Sequence, residues 1–415
     1  MTDNYSAVRD RLIRYAKINT RSERKSGPGP TSEGQWDLAR HLARELEQIG
    51  ASSVWLDETS CVLYARIPAS LDRSTEPVGF ITHMDTAPDV SGENVRPWVL
   101  ENYDGGDIVL NRERNIVMRA ADHPILKPYI GQDLILTDGT TLLGGDDKAG
   151  IAAVMTLAEY LLSHPEIPHG EICLAFTPDE EVGGLARDLD PARFGARFAY
   201  TLDGDHTGWY QDQTFNASEA VLELNGFSVH TGTAKGLMVN ASDLAGEFLA
   251  MLPPLERPRY TEGTEGFFHV VSVNSSCEYA RVDLIVRDFD ELAFAGREQF
   301  LQNCTDRLNE EWGPGTAQLT LTSQYRNMGQ ILARFPFLTE LLCQAIRSCG
   351  LTPVCEPFRG GTDGAALTFR GIPCPNLSAG YENAHGRFEF VPVQAMVKNV
   401  EILLSLCRLW TERTF

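Results

Sequence analysis

The sequence predicts an α/β protein with a mixed, mostly parallel central sheet, interrupted by an inserted α+β unit of ferredoxin-like type. Three observations carry this expectation. Apolar strand-like runs alternate with helix-period segments up to residue 214 and helical patterns return after residue 327. Several of those apolar runs end in clusters of polar residues. Between residues 215 and 326 the order of patterns becomes β-α-β-β-α-β. The chain therefore divides into 1–214 and 327–415, forming one domain, and 215–326, inserted into it.

Each element has a local reason. "EGQWDLARHLARELEQIGA" places apolar residues at helical spacing and stops at Gly50, a C-cap residue. "SSVWLDETSCVLYARIPA" alternates as a pair of strands does. "PVGFITHMDTAPD" is an apolar run that ends in polar residues and a proline. "GGDDKAGIAAVMTLAEYLLSH" passes from a glycine-rich loop into a long helix. "GEICLAFTPDEEVGG" and "ARFAYTLDGD" are each a strand followed by an acidic loop. In parallel sheets ligands gather beyond the carboxyl ends of strands, where these polar clusters fall. In the insertion, "ASEAVLELNGFSVH", "FHVVSVNSS", "ARVDLIVRDFD" and "TAQLTLTSQYRN" read as strands. "NASDLAGEFLAMLPP" and "ELAFAGREQFLQNCTDRLNEEW" read as helices. No internal repeat or low-complexity tract interrupts the pattern.

Composition limits the partners. The 415 residues carry 36 basic and 57 acidic side chains, a net charge of −21, which repels nucleic acid and anionic membrane. "AGIAAVMTLAEYLL", the longest apolar stretch, is too short and interrupted to span a bilayer. The first twenty residues show no apolar h-region, and the nine irregularly spaced cysteines include no C-x-x-C. Free thiols in a cytoplasmic protein are the expectation.

Several side chains could carry chemistry. His83 and Asp85 lie two apart at a strand end and face the same way, so the carboxylate can fix the imidazole tautomer. Alone, such a pair is commonly a surface contact. Asp146 and Asp147 follow two glycines at a helix start, where a carboxylate can simply cap free N–H groups. That explains one aspartate better than two. The Gly-Lys spacing of a phosphate loop is missing from "GGDDKAG". Glu180 and Glu181 are neighbours on extended backbone, so their side chains diverge. One can bind a metal while the other handles a proton, as metal-assisted hydrolysis requires. Asp203 and Asp205 repeat the acidic strand end, and His385 lies in a glycine-containing loop. Each taken singly reads as a solvated loop residue. Together they offer the N/O donor mixture that Zn²⁺ accepts without thiolates.

In one order the chain carries "HMDTAPD", "LLGGDDKAG", "AFTPDEEVG", "YTLDGD", "HTGTAKGLMVNA", "RGGTDGA" and "HGRFEF". With this series it resembles the peptidase T family of tripeptide aminopeptidases, within the dizinc aminopeptidase/carboxypeptidase superfamily. "TSEGQW" and "ENYDGGDI" are similar to that family too, so the resemblance covers nearly the whole chain. It implies a zinc-peptidase catalytic domain with an inserted lid and dimerisation domain, tripeptide substrates, two Zn²⁺ per subunit and a homodimer. Co²⁺ or Mn²⁺ would accept the same ligands. By the same resemblance His83 and Asp203 would bind one zinc, Glu181 and His385 the other, and Asp146, followed by a cis peptide bond, would bridge them. Asp85 would orient His83. Glu180 would be the general base toward a metal-bridging water. His230 resembles a lid histidine that stabilises the oxyanion, Asn240 would bind the substrate backbone, and Arg359 its terminal carboxylate. Thr231 stands where the family commonly has proline after the lid histidine.

Two other readings use the same residues. A dipeptidase, carboxypeptidase or N-acyl amino acid deacylase would keep the metals and change the substrate. A metal-stabilised peptide-binding scaffold would need no general base beside a ligand, which weighs against it given Glu180.

Overall fold

A computed structural model describes residues 2–24 and 29–413. They form two compact units, one of Met1–Asp212, Met328–Glu356 and Thr362–Phe415, the other of Gln213–Asn327 with Pro357–Gly361.

The first unit is built on an eight-stranded mixed sheet. Strand β1 (Ser52–Leu56) pairs antiparallel with β2 (Leu63–Ile67), which pairs antiparallel with strand Ile172–Thr177. From there Ile172–Thr177, β3 (Val78–His83), Phe198–Leu202 and Asn376–Leu377 run side by side in parallel. Trp209–Gln211 and Val354–Cys355 complete the order. The central strands are buried on both faces, which is why β3, Ile172–Thr177 and Phe198–Leu202 read as continuous apolar runs rather than as alternation. Helices α1 (Thr2–Ala16), α2 (Glu33–Ile49) and α3 (Gly145–Ser163), with the helix Val393–Thr411, pack into the largest core cluster. Gly50 ends α2 in the left-handed region (φ 91°), as its position predicts.

A smaller sheet has the order Val391–Pro392, Leu134–Leu136, Trp98–Leu100. The loop 378–390 therefore leaves one sheet and is received by another, so both of its ends are fixed.

The second unit is a four-stranded antiparallel sheet whose chain order is β-α-β-β-α-β. Asn216–Asn225 and Tyr279–Asp288 are central, Phe267–Ser275 and Ala317–Tyr325 are the edges. Helices Ala241–Met251 and Glu291–Trp312 cover one face and share its core with the sheet. This is the ferredoxin-like arrangement. Residues 357–361 sit with this unit, not with the segment 327–415 in which the sequence pattern places them. The reason is local bonding. Phe215 N–H donates to the Gly360 carbonyl (3.3 Å), and the Arg359 guanidinium donates to the carbonyls of Gly263 (2.7 Å) and Glu265 (3.1 Å).

Among the described residues no helix is long and apolar enough to cross a membrane, and all nine cysteines are free.

Candidate metal centre

Four adjacent parallel strands all end on the same side of the sheet, and the polar clusters follow those ends. His83 closes β3, Glu180 and Glu181 follow Ile172–Thr177, Asp203 follows Phe198–Leu202, and His385 lies in the loop after Asn376–Leu377. The turn into α3 adds Asp146. Its entry is shaped by Gly144 in the left-handed region (φ 78°), and the Asp146–Asp147 peptide is cis.

His83 is buried. Its Nδ1 lies 3.3 Å from the Asp85 carboxylate and 3.2 Å from the Asp85 carbonyl, so Nδ1 carries the proton and Nε2 is left to face the cluster. That Nε2 is 3.0 Å from Asp146 Oδ1 and 3.7 Å from Asp203 Oδ1. The other oxygen of Asp146 lies 3.2 Å from His385 Nε2, which is 3.0 Å from Glu181 Oε2. Asp146 thus lies between the two imidazoles. Donor atoms of His83, Glu180 and Asp203 all fall within 4.8 Å of one another, as do those of His83, Asp146 and Glu181.

The acidic triplet of "TPDEEVGG" divides its work. Asp179, at φ 58°, turns the chain and points away from the cluster. Its carboxylate accepts from Thr31 N (2.9 Å), Thr31 Oγ1 (2.6 Å) and Gln35 Nε2 (2.8 Å), which anchors "TSEGQW" at the entry to α2. Glu180 and Glu181 are placed through their backbone, because their N–H groups donate to the two oxygens of Asp85 at 2.9 and 3.1 Å. Asp85 therefore orients both His83 and the two glutamates.

The electrostatics are those of a crowded acidic site. Burial first, then the charge of Asp203, raises Glu180 well above the ordinary carboxylate range. Burial and the charge of Asp146 push Glu181 up to about 8. Hydrogen bonds to Asp146 and Glu181 push His385 up to about 11. The donor set fits a pair of divalent cations: imidazole nitrogens and carboxylate oxygens, with no thiolate. Glu181 Oε1 is buried and has no hydrogen-bond partner among the described residues, an acceptor that a cation would satisfy.

Asp147, read from the sequence as a helix-start aspartate, and three residues that sequence reasoning did not single out, Tyr381, Glu389 and Asp363, complete the site. Asp147 does what a helix-start aspartate does: its carboxylate accepts from Gly150 N (3.2 Å) and also from His83 N (3.2 Å). Tyr381 donates to Asp203 Oδ1 at 2.9 Å. Glu389 accepts three backbone N–H groups of the Asp146 turn. Asp363, inside the quoted "RGGTDGA", is buried and accepts from Thr177 Oγ1, while its Oδ1 has no partner among the described residues. For Asp363 and Glu389 the only available signal was an acidic residue inside a quoted motif, and Tyr381 had none. Asp205 is exposed and joins His206 and Glu382 in a separate group, where His206 Nδ1 lies 2.8 Å from Glu382 Oε1.

His230, Asn240 and Arg359 belong to the second unit. His230 is exposed, and its Nδ1 accepts from Gly232 N (3.1 Å) at the start of a short turn, Thr231–Thr233. Asn240 caps helix Ala241–Met251 through Ser242 N (3.1 Å). Arg359 donates to carbonyls rather than to a carboxylate and stacks over Phe215, 5.0 Å from the ring centroid.

Asp363 yields a pH prediction. Burial pushes its carboxyl up to about 7 from an ordinary 3.8. The folded state therefore prefers the protonated form, and the stabilisation present below pH 3.8 is lost as pH rises through 7. The cost at pH 8 is on the order of 4 kcal/mol. Asp363→Asn in the metal-free protein is expected to flatten the decline in unfolding free energy between pH 4 and 8. Parallel curves for the two proteins would remove this assignment.

Residues 143–409 match the model of peptidase family M20/M25/M40. The chain is 44% identical over 408 residues to a peptidase T of Caldanaerobacter subterraneus, covering 98% of this chain and 100% of that one. It is 46% identical over 406 residues to a peptidase T of Halothermothrix orenii, covering 98% and 99%. The fold is similar to the aminopeptidase PepT of Bacillus cereus, with a TM-score of 0.78, 21% identity and coverage of 98% and 99%. It is also similar to a dinuclear metal-binding M20 peptidase of Bacillus subtilis, with a TM-score of 0.69, 12% identity and full coverage of both chains. Together with the converging histidines and carboxylates, these likenesses make the chain a member of peptidase family M20/M25/M40, among its peptidase T relatives.

Proposed function

We propose that this peptidase is a tripeptide aminopeptidase working with two Zn²⁺ ions. The observation that carries the reading is the convergence of His83, Asp146, Glu180, Glu181, Asp203 and His385 beyond four parallel strand ends. The peptidase T name of the relatives, and the tripeptidase name of a Staphylococcus aureus structure of the same fold, support the substrate class.

His83 and Asp203 would hold one ion, Glu181 and His385 the other, with Asp146 between them. When bound, the ions supply Lewis acidity toward the scissile carbonyl and acidify adjacent water. Glu180 takes a proton from the attacking water and returns it to the nitrogen of the leaving amine. A carboxylate raised by burial and by Asp203 accepts that proton more readily than a solvated one. Asp85 keeps the His83 proton on Nδ1 and holds the Glu180 backbone, so acceptor and ligand keep one spacing. His230 would act on the oxyanion, Asn240 on the substrate backbone and Arg359 on its terminal carboxylate.

The nine free cysteines suit a reducing cytoplasm. Exposed Val271 and Val273 on the edge strand Phe267–Ser275 suit a homodimer formed through the second unit. Light scattering that reports the 45.9 kDa of one chain would remove the dimer.

Glu180→Ala is expected to lower kcat by about 10²–10⁴-fold while both zinc ions stay bound by elemental analysis. Retained turnover removes Glu180 from proton transfer, and lost zinc makes it a ligand. Unblocked tripeptides should be cleaved in preference to dipeptides, tetrapeptides and N-acetylated tripeptides. Preference for dipeptides or for N-acyl substrates would move the chain to the dipeptidase or deacylase reading.

A further inference from the structure

We infer that Glu389 is a positioning residue that ties the Asp146 turn to the His385 loop and thereby sets the affinity of the centre for its second cation. The inference rests on the two-metal reading above.

Glu389 is buried, and both of its oxygens are spent on one stretch of backbone. Oε2 accepts from Leu143 N at 2.8 Å and Gly144 N at 2.7 Å; Oε1 accepts from Asp146 N at 3.0 Å. Three N–H groups converging on one carboxylate form an anion-holding cradle, and here the anion is part of the chain. The turn has no slack around it. A Cβ on Gly145 would come within 2.5 Å of Val391 Cγ2 and 3.1 Å of Glu389 Oε1.

Glu389 lies four residues after His385 in the same closed loop. Glu382 and Phe390 exchange backbone hydrogen bonds at 2.9 and 3.0 Å, which shuts that loop at its base. The loop reaches Asp146 twice: Glu389 holds its backbone N–H, and His385 Nε2 meets its Oδ2 at 3.2 Å. The two ligands come from segments 239 residues apart, and Glu389 is the side chain that joins their backbones. Both of its oxygens are occupied by N–H groups, so they are not offered to a cation in the cluster. A glutamine of the same size would turn an NH₂ group toward backbone donors on one side, and the turn would have to move. Moving it displaces Asp146 relative to both imidazoles.

The test uses the full chain stripped of metal and titrated with Zn²⁺ alone. Wild type is expected to bind two ions. Glu389→Gln should weaken the second by about 10–100-fold, the range for residues that orient metal ligands, while its metal-free Tm stays near that of wild type. Unchanged affinity for both ions overturns the inference, whether or not the Tm falls. Wild type that binds fewer than two ions overturns the two-metal reading instead. Amide exchange in metal-free wild type tests the cradle without any variant. The N–H groups of Leu143, Gly144 and Asp146 should be protected before zinc is added. Exchange at the rate of an open loop would overturn the proposal even if Glu389→Gln does not fold.

Discussion

A concentration of carboxylates where water is scarce dominates this molecule. Asp85, Asp146, Asp147, Asp203, Asp363 and Glu389 are all buried in the first unit, with Glu180 and Glu181 beside them. Removing such groups from water is costly unless hydrogen bonds or opposite charges replace the lost hydration. The fold answers in two ways. Backbone N–H groups are directed at Asp85, Asp147 and Glu389, which makes these anions into struts. Imidazoles are set against Asp146 and Glu181. What is left over, such as Glu181 Oε1, which has no hydrogen-bond partner among the described residues, marks a place where a cation would complete the balance.

This division explains why three acidic residues stand in a row after one strand. Asp179 leaves the cluster through a left-handed turn and fastens the start of α2. Glu180 and Glu181 remain, held by the same carboxylate, Asp85, at successive N–H groups. Their backbones are fixed as a pair while their side chains serve different neighbours: Asp203 and His83 for one, His385 for the other. A site assembled this way depends on struts that never touch a substrate. Motion of any one strut changes the spacing between Glu180 and the donor atoms of His83 and Asp203.

Much of this was written locally. The buried parallel strands announce themselves as apolar runs, "VGFITH" and "ICLAFT", and their polar ends follow directly. The β-α-β-β-α-β pattern of the second unit needed only the alternation of strands and the spacing of helices. His83 with Asp85 is a short-range pair; Glu180 and Glu181 lie in a 3-10 turn, Glu180–Val182, rather than on the extended backbone expected of them, and it is Asp85 that fixes both of their N–H groups. The roles of Glu389, Asp363 and Tyr381 had no such local sign. An acidic residue beside a histidine, or one that starts a short helix, looks the same whether it faces water or a buried turn.

What the sequence determined by itself is the set of donors and the kind of element that carries each one, because alternation, capping and turn preferences act over a few residues. What only the tertiary structure decided is which donor meets which. Asp146 meets His83 and His385 from separations of 63 and 239 residues, and Asp179 finds Thr31 across 148. Such contacts are set by strand order and by the closing of long loops. Neither is encoded in the residues that touch, and so their partners became visible only once the sheet had been assembled.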